Sequence, residues 1–597
     1  MNTPALTMNK SQKLTVEIVL YSLAFLLALF LRLLNLGAAP LSDQEAGWAL
    51  QALQIARPEM ATASQGSGAQ PAYIILTGLT FIFLGANDFL ARFWPALAGA
   101  LLVWAPYCFR RDLGRSAAVL LAFGLALDPG LTIVSRQAGG PMLALSFCLL
   151  ALGLWRARQP IWAGVTGSLA LLSGPTILPG AIGLAAALLA EGALRQRRLR
   201  LHAADPLQDH HEQSNPEPTL SFFSRREVGM AWLAGLSAFL LVGSGLGRFP
   251  QGLAGFFASL IAYFQGWAVA SNISPSTILL ALFTFELLAI IFATIGVINQ
   301  IGRDERTAEG AAIQPGLLIW AAASLLLTLL YPGRQVSDLI WSIVPIWAVA
   351  AAALAAYLPQ EKPHIMVFLQ ACLVMILAAL FYNTLIAPDL IATATIPWNI
   401  LRLVVLAGIL ALGILTSTLV ALGWSWEISR DGLIWGLAVT LLIYSTNALW
   451  GAAQLRPNQP AELWGAPPGT GQARLAQSTL RDLSNWATGM QNSIDILSLV
   501  DTPSLRWFLR DYPNARFSSA IDRDNLPDVL ITRLEAEAPG VSETYRGQDF
   551  VWWTLPGWSG GIPPDFIRWL TFRRAPITNQ YIILWARNSL FPGAAQD

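Results

Sequence analysis

Apolar runs separated by short polar breaks fill the first 450 residues. A spanning helix needs roughly 20 predominantly apolar residues, and the first such run extends from about Leu14 to Leu34. The stretch LSDQEAGWAL follows it, with Asp43 and Glu45 just beyond the span. EAGWALQALQIA reads as a helix, with Asp43 placed to cap it. Further runs lie at about 91–109, 116–134 and 142–155. Gly174-Pro175 divides the next apolar region into 161–173 and 175–190. The remaining runs are 229–246, 277–299, 315–331, 338–357, 365–386, 400–422 and 432–450, which makes about thirteen spans in all.

From Gly451 the pattern changes to a polar, Pro- and Gly-rich linker and then mixed segments. RDLSNWATGMQ and SLRWFLRDY (Ser504–Tyr512) read as helices. IDILSLV (Ile494–Val500), DVLIT (Asp528–Thr532) and DFVWWTL (Asp549–Leu555) read as strands. A tail of about 130 residues can bury its own core. The expected organisation is a membrane domain over 1–450 and a small α/β domain over 451–597.

Composition agrees with a polytopic α-helical membrane protein. Of 597 residues 55% are hydrophobic and only 12% charged, with a mean hydropathy of +0.52, against about 25% charged in soluble domains. The net charge of +1 argues against a nucleic-acid partner. Cys108, Cys148 and Cys372 each lie inside an apolar run and read as small buried hydrophobes. The N-terminus carries Lys10 and Lys13 without a small-residue cleavage site, so an uncleaved first span is expected.

Charge sets the expected topology, because lysine and arginine concentrate on the cytoplasmic side. The basic groups are Lys10/Lys13, Arg110/Arg111/Arg115, Arg156/Arg158, the stretch from Arg195 to Arg226, Arg303/Arg306, Lys362 and Arg430. Were PAYIILTGLTFIFLG (71–85) to cross, Arg110–Arg115 would fall outside; it is therefore expected to be interfacial or re-entrant. The aromatic stretch 253–270 reads as a second interfacial helix. The result is a cytoplasmic N-terminus, a large first outer loop (37–90), a partly disordered cytoplasmic loop (195–228) and an extracytoplasmic C-terminal domain in a plasma-membrane protein.

This topology leaves His202, His210, His211 and His364 inside, so a general base on the outer face would be a carboxylate. Asp43 and Glu45 are the candidates, and together they could also hold a divalent cation through oxygen ligands. The plainer alternative is a pair of solvated loop residues. The arginines left outside are Arg57, Arg92, Arg136 and Arg334. Their planar forks match phosphate geometry, and snorkelling to headgroups is the alternative. Asp338 stands four residues past Arg334, at helical pairing distance. Asp128, in LALDPGL, suits a cavity-lining or cap role. No P-loop, dinucleotide fingerprint or CxxC pattern occurs.

The order of short motifs resembles the GT-C glycosyltransferases, chiefly the protein O-mannosyltransferase and aminoarabinose-transferase type, with an echo of oligosaccharyltransferase catalytic subunits. RLLNLGAAPLSDQEAGWALQA resembles the family's first-loop pattern, and QPAYIIL its "PPLYYLL" segment. GANDFLARFWPALAGALL resembles its "G-x-x-EF-x-x-R-x-PSAL-x-G" segment, and SRQAGG its "SR-x-AR" turn. YPGRQVSDLIWSIVPIWAVAA resembles its late arginine-containing segment. The likeness covers roughly 14–190 and, more loosely, 316–356. It implies a polyprenyl-phosphate-linked sugar donor and a protein, lipid or glycan acceptor, and it singles out Asp43 as the catalytic carboxylate with Glu45 its neighbour. Arg92, Arg136 and Arg334 would hold the carrier phosphate or the acceptor. Gln70 replaces a common His, and Gly139-Gly140-Pro141 replace an arginine and acidic residues, so the second acidic metal ligand of some relatives is missing.

Overall fold

The computed structural model describes residues 10–58, 70–203, 224–247, 251–271, 273–301, 315–358, 365–386, 398–453, 455, 463–464, 469–522, 525–533, 544–558 and 562–591. Helix α1 (Lys10–Leu33) leads through a turn to α2 (Asp43–Ala56), α3 (Pro71–Leu84), α4 (Asp88–Leu101) and α5 (Ala105–Leu113). Next come α6 (Arg115–Leu127), α7 (Pro129–Ser135), α8 (Pro141–Arg156), α9 (Pro160–Leu172) and α10 (Ile177–Ala203). After these lie α11 (Arg225–Gly243), α12 (Gln251–Gln265), α13 (Pro275–Phe285), α14 (Leu287–Ile301) and α15 (Pro315–Leu330). A 3-10 turn at Val336–Leu339 precedes α16 (Ile340–Ala355), and α17 (Ile365–Ile386), α18 (Trp398–Gly423) and α19 (Trp426–Ala452) complete the bundle.

Among the described residues, seven helices are long and apolar enough to cross a membrane, or up to nine if each of two bent pairs is one span. Five shorter apolar helices accompany them. The protein is therefore a multi-pass membrane protein.

The expected spans at 116–134 and 277–299 are both bent. Helices α6 and α7 meet at 56°, and α13 and α14 at 83°. The first break follows from Pro129, whose ring drives Asp128 out of the helical region to ψ 125°. Asp128 then caps α7, with Pro129 at its first position. Glu286 occupies the second break, and no proline marks it. The described ends of the polar stretch 195–228 are helical. Helix α10 runs on to Ala203 through leucines and arginines, which are good helix formers. Ser224 and Glu227 form a capping box that starts α11. His210, His211 and His364 lie outside the described residues.

The C-terminal segment builds a six-stranded mixed sheet from β1 (Gly469–Thr470), β2 (Ile496–Ser498), β3 (Ala515–Phe517), β4 (Val529–Arg533), β5 (Tyr545–Pro556) and β6 (Ile577–Arg587), in the order β1-β5-β6-β4-β2-β3. Parallel pairs join β2 to β3 and β4; the other pairs are antiparallel. Helices α20 (Ala473–Thr488) and α21 (Pro503–Phe508) pack Leu480, Leu505 and Phe508 onto the face that carries Ile496, Ile531 and Phe550. The three expected strands and two expected helices correspond to β2, β4, β5, α20 and α21. A third helix, α22 (Phe566–Phe572), packs Trp569 into the core of the bundle.

Candidate active site

Helix α2 begins with a capping box: the Ser42 hydroxyl accepts the Glu45 N–H (3.3 Å) and the Glu45 carboxylate accepts the Ser42 N–H (3.0 Å). Glu45 is buried and takes three further donors. Arg92 of α4 gives Nε to Oε1 and Nη2 to Oε2, each at 2.7 Å, and the Ala138 N–H reaches Oε1 at 2.9 Å. Burial alone would push this carboxyl up, but the Arg92 charge and the hydrogen bonds outweigh it and hold the pKa below the usual value. With both oxygens filled, Glu45 has no lone pair free to act as a base. Arg92 is equally committed: its other N–H groups go to the carbonyls of Leu36 (3.2 Å), Ala39 (2.7 Å) and Pro40 (3.1 Å). It therefore shapes the turn after α1 instead of presenting a free fork to phosphate.

Two other buried arginines serve loose helix ends. In lipid every backbone carbonyl needs an internal partner, and the last carbonyls of a helix lack one. Arg136, just past α7, gives Nη1 to the carbonyls of Leu31 (3.1 Å), Arg32 (3.1 Å) and Leu34 (2.7 Å) at the end of α1. Arg32 of α1 reciprocates at the end of α6, reaching Ala126 (3.2 Å) and Leu125 (3.0 Å), and donates to Ser135 Oγ (3.0 Å). The start of α7 is served by acids. Asp128 accepts the Leu131 N–H (2.6 Å) and the Trp347 indole (2.6 Å), and Glu286 accepts the Gly130 N–H (3.2 Å). Asp128 thus has the cap role expected of it. Arg32 and Glu286 escaped sequence reasoning, although a single acid inside the apolar stretch LFTFELLAI is a readable signal.

Asp43 points elsewhere. It is exposed on α2, and its Oδ1 accepts the Ser504 N–H (3.1 Å) at the start of α21. The C-terminal domain grips the first loop around this contact. Trp507 gives its indole N–H to Asp88 (2.7 Å) and packs on Phe81. Arg474 reaches the carbonyls of Gly37 (3.3 Å) and Ala38 (2.7 Å). At the far end of α2, Arg57 pairs with Asp511 (3.3 Å) and the Arg510 carbonyl (3.3 Å). Both ends of α2 are therefore held by the domain, and Arg57 has a structural partner.

Arg334 stands apart on the loop between α15 and α16, where its Nη1 reaches the Ile273 carbonyl (3.1 Å). The expected pairing with Asp338 gives way to a local cap: Asp338 Oδ2 accepts the Gln335 N–H (3.0 Å). The site residues therefore fall into three groups: Glu45 and Arg92 with the 135–141 turn, Asp43 and Arg57 with the C-terminal domain, and Arg334 by itself. A divalent cation shared by Asp43 and Glu45 does not fit, since Arg92 occupies Glu45. No group of three or more His, Cys, Asp or Glu that could hold a metal ion occurs among the described residues.

The bent-helix bundle, the helical first loop and the C-terminal domain docked upon it together give a fold similar to that of ArnT. ArnT, the aminoarabinose transferase, from Cupriavidus metallidurans, solved bound to undecaprenyl phosphate, matches over 98% of this chain and 99% of its own, with a TM-score of 0.50 and 14% identity. Weaker matches include the Archaeoglobus fulgidus oligosaccharyltransferase tethered to an acceptor peptide (14% identity, 85% of this chain and 64% of that one, TM-score 0.41). Another is the arabinosyltransferase EmbB of Mycobacterium smegmatis (14% identity, 79% and 45%, TM-score 0.39). No protein-family model and no curated protein matches the chain.

Proposed function

We propose that the protein is a glycosyltransferase that moves a sugar from a polyprenyl-phosphate carrier to an acceptor hydroxyl on a protein, lipid or glycan. The observation that carries this reading is the fold shared end to end with ArnT, a structure bound to undecaprenyl phosphate. The chain would span the membrane about thirteen times, with its N-terminus in the cytoplasm and the C-terminal domain outside. Transfer would then take place on the outer face of the plasma membrane, where α2 and the C-terminal domain meet.

Asp43 is the proposed catalytic carboxylate. It is exposed and uses one oxygen for Ser504, and a carboxylate has about four lone-pair sites. It would take the acceptor's proton as the acceptor oxygen bonds to the anomeric carbon and the carbon–oxygen bond to phosphate breaks. Polyprenyl phosphate leaves with the bonding electrons, and the anomeric centre inverts. Glu45 and Arg92 would hold α2 in place, and Arg136 would fix the adjoining turn. Arg334 is the arginine proposed to meet carrier phosphate.

The test uses purified protein in nanodiscs with polyprenyl-phosphate sugars, following free polyprenyl phosphate by mass spectrometry. Removing a general base typically costs about 10²- to 10⁴-fold, so Asp43→Asn should fold normally and lose turnover on that scale. A folded Asp43→Asn protein with full turnover contradicts the assignment. A second reading, binding or transport of lipid-linked sugars without transfer, is favoured by the full commitment of Glu45 and Arg92 to internal partners. It predicts tight carrier binding with no release of polyprenyl phosphate.

A further inference from the structure

The loop after α12 and the loop after α15 fold against each other. The Ser271 N–H donates to the Pro332 carbonyl (2.9 Å), the Tyr331 hydroxyl to the Tyr263 carbonyl (2.8 Å), and Arg334 to Ile273. Three aromatic rings gather at this junction. Tyr263 and Tyr331 stack with centroids 4.6 Å apart at 18°, and Trp267 meets Tyr331 edge-on at 5.4 Å. Tyr331 is locked in place: a Cβ on Gly266 would come within 2.0 Å of its hydroxyl, and one on Gly333 within 2.9 Å of its ring. Trp267, by contrast, is 45% exposed.

Polar groups surround these rings and are left open. The Tyr263 hydroxyl and Arg334 Nε are buried and have no hydrogen-bond partner among the described residues. The Asp338 carboxylate lies on the same loop, where its Oδ2 accepts the N–H of Gln335, the residue after Arg334 (3.0 Å). Buried polar groups in native proteins are nearly always paired, so unpaired ones call for an explanation. A pyranose or furanose ring offers C–H faces for aromatic stacking and hydroxyls for donors and acceptors, and an attached phosphate offers anionic oxygens for arginine. Helix α12 packs on α3, and the 336–339 turn lies against α7.

We propose that Tyr263, Trp267, Tyr331, Arg334 and Asp338 form a subsite for the sugar of a lipid-linked donor, with Arg334 turned toward the carrier phosphate. The proposal rests on the carrier-dependent reading above and deepens it. The Tyr263 hydroxyl has no hydrogen-bond partner among the described residues, so Tyr263→Phe should remove a ligand contact and leave the fold contacts in place.

The experiment compares, by microscale thermophoresis in nanodiscs, short-chain polyprenyl phosphates bearing a hexose, a pentose or an aminopentose with the bare polyprenyl phosphate. The wild type should prefer at least one sugar-bearing carrier. Trp267→Ala and Tyr263→Phe should each cut that preference roughly three- to tenfold, in line with a single lost stacking or hydrogen-bonding contact. Bare-carrier affinity and the melting temperature of Tyr263→Phe should stay unchanged. Equal binding of sugar-bearing and bare carriers by the wild type overturns the subsite, as does a preference that survives both substitutions; the rings would then be an interfacial aromatic belt. The transfer reading is judged separately. Asp43→Asn should keep the sugar preference, and a wild type that shows the preference but never releases polyprenyl phosphate rejects transfer while leaving the subsite standing.

Discussion

Helices α16 and α18 are both predominantly apolar, yet 78% of an 18-residue stretch within Val336–Ala355 lies buried inside the protein and only 6% of one within Ile400–Gly423 does. Lipid tails are as apolar as leucine, so hydrophobicity cannot drive one span inward over another. The difference lies in small residues and polar ties. Helix α16 is alanine-rich and carries two tryptophans whose indoles reach Thr176 O (2.8 Å) and Asp128 Oδ2 (2.6 Å). Glycines open room for them: a Cβ on Gly180 would lie 1.9 Å from Trp341, and one on Gly124 2.4 Å from Trp347. Helix α18 has leucine, isoleucine and valine facing outward, and a Cβ on its Gly408 meets nothing within 4 Å. Close backbone approach and satisfied polar groups thus mark the inside of this bundle.

The comparison breaks first at the buried ties. Arg92→Leu strands Glu45 and three carbonyls, and losing one partner of a buried pair costs about 3–5 kcal/mol. Thermal unfolding in detergent should show this as the largest loss of stability. Next, Gly180→Ala should destabilise by about 1–3 kcal/mol through overpacking against Trp341. A Gly180→Ala protein as stable as the wild type would remove the packing half of the argument.

The pH dependence of Glu45 sharpens the polar half. Its folded pKa is lowered, so its contribution is fully present above the unfolded glutamate value of about 4.3. That contribution is lost as pH falls through the lower, folded value. Melting curves from pH 7 downward should show the wild type losing an advantage over Glu45→Gln across that acidic range. The smallest effect belongs to α18. Gly408→Ala should be neutral or stabilising by up to about 1 kcal/mol, since only helix propensity changes.

Much of this architecture was legible in the residues. The apolar runs coincide with helices, and Asp128-Pro129 carries its own reason for the bend after α6. The bend at Glu286 has no such marker, because neither glycine nor proline stands there. Strand β6 hides behind a polar start, ITNQY, and its central place in the sheet depends on pairing with β4 and β5. Within the site, the Asp43–Glu45 pair was visible as charge beside a span. Their division of labour was not: Glu45 is taken by Arg92 47 residues away, and Asp43 meets Ser504 461 residues away. Such partners are set by folding, which local pattern cannot report.

On the proposed function the two acids of α2 have opposite duties, one structural and one chemical. Turnover per folded molecule, measured as polyprenyl phosphate release beside the melting temperature for Asp43→Asn and Glu45→Gln, tests it most directly. The predicted result is a stable Asp43→Asn protein without turnover and a destabilised Glu45→Gln protein that still turns over while folded. Full turnover in Asp43→Asn, or an undiminished melting temperature in Glu45→Gln, contradicts it.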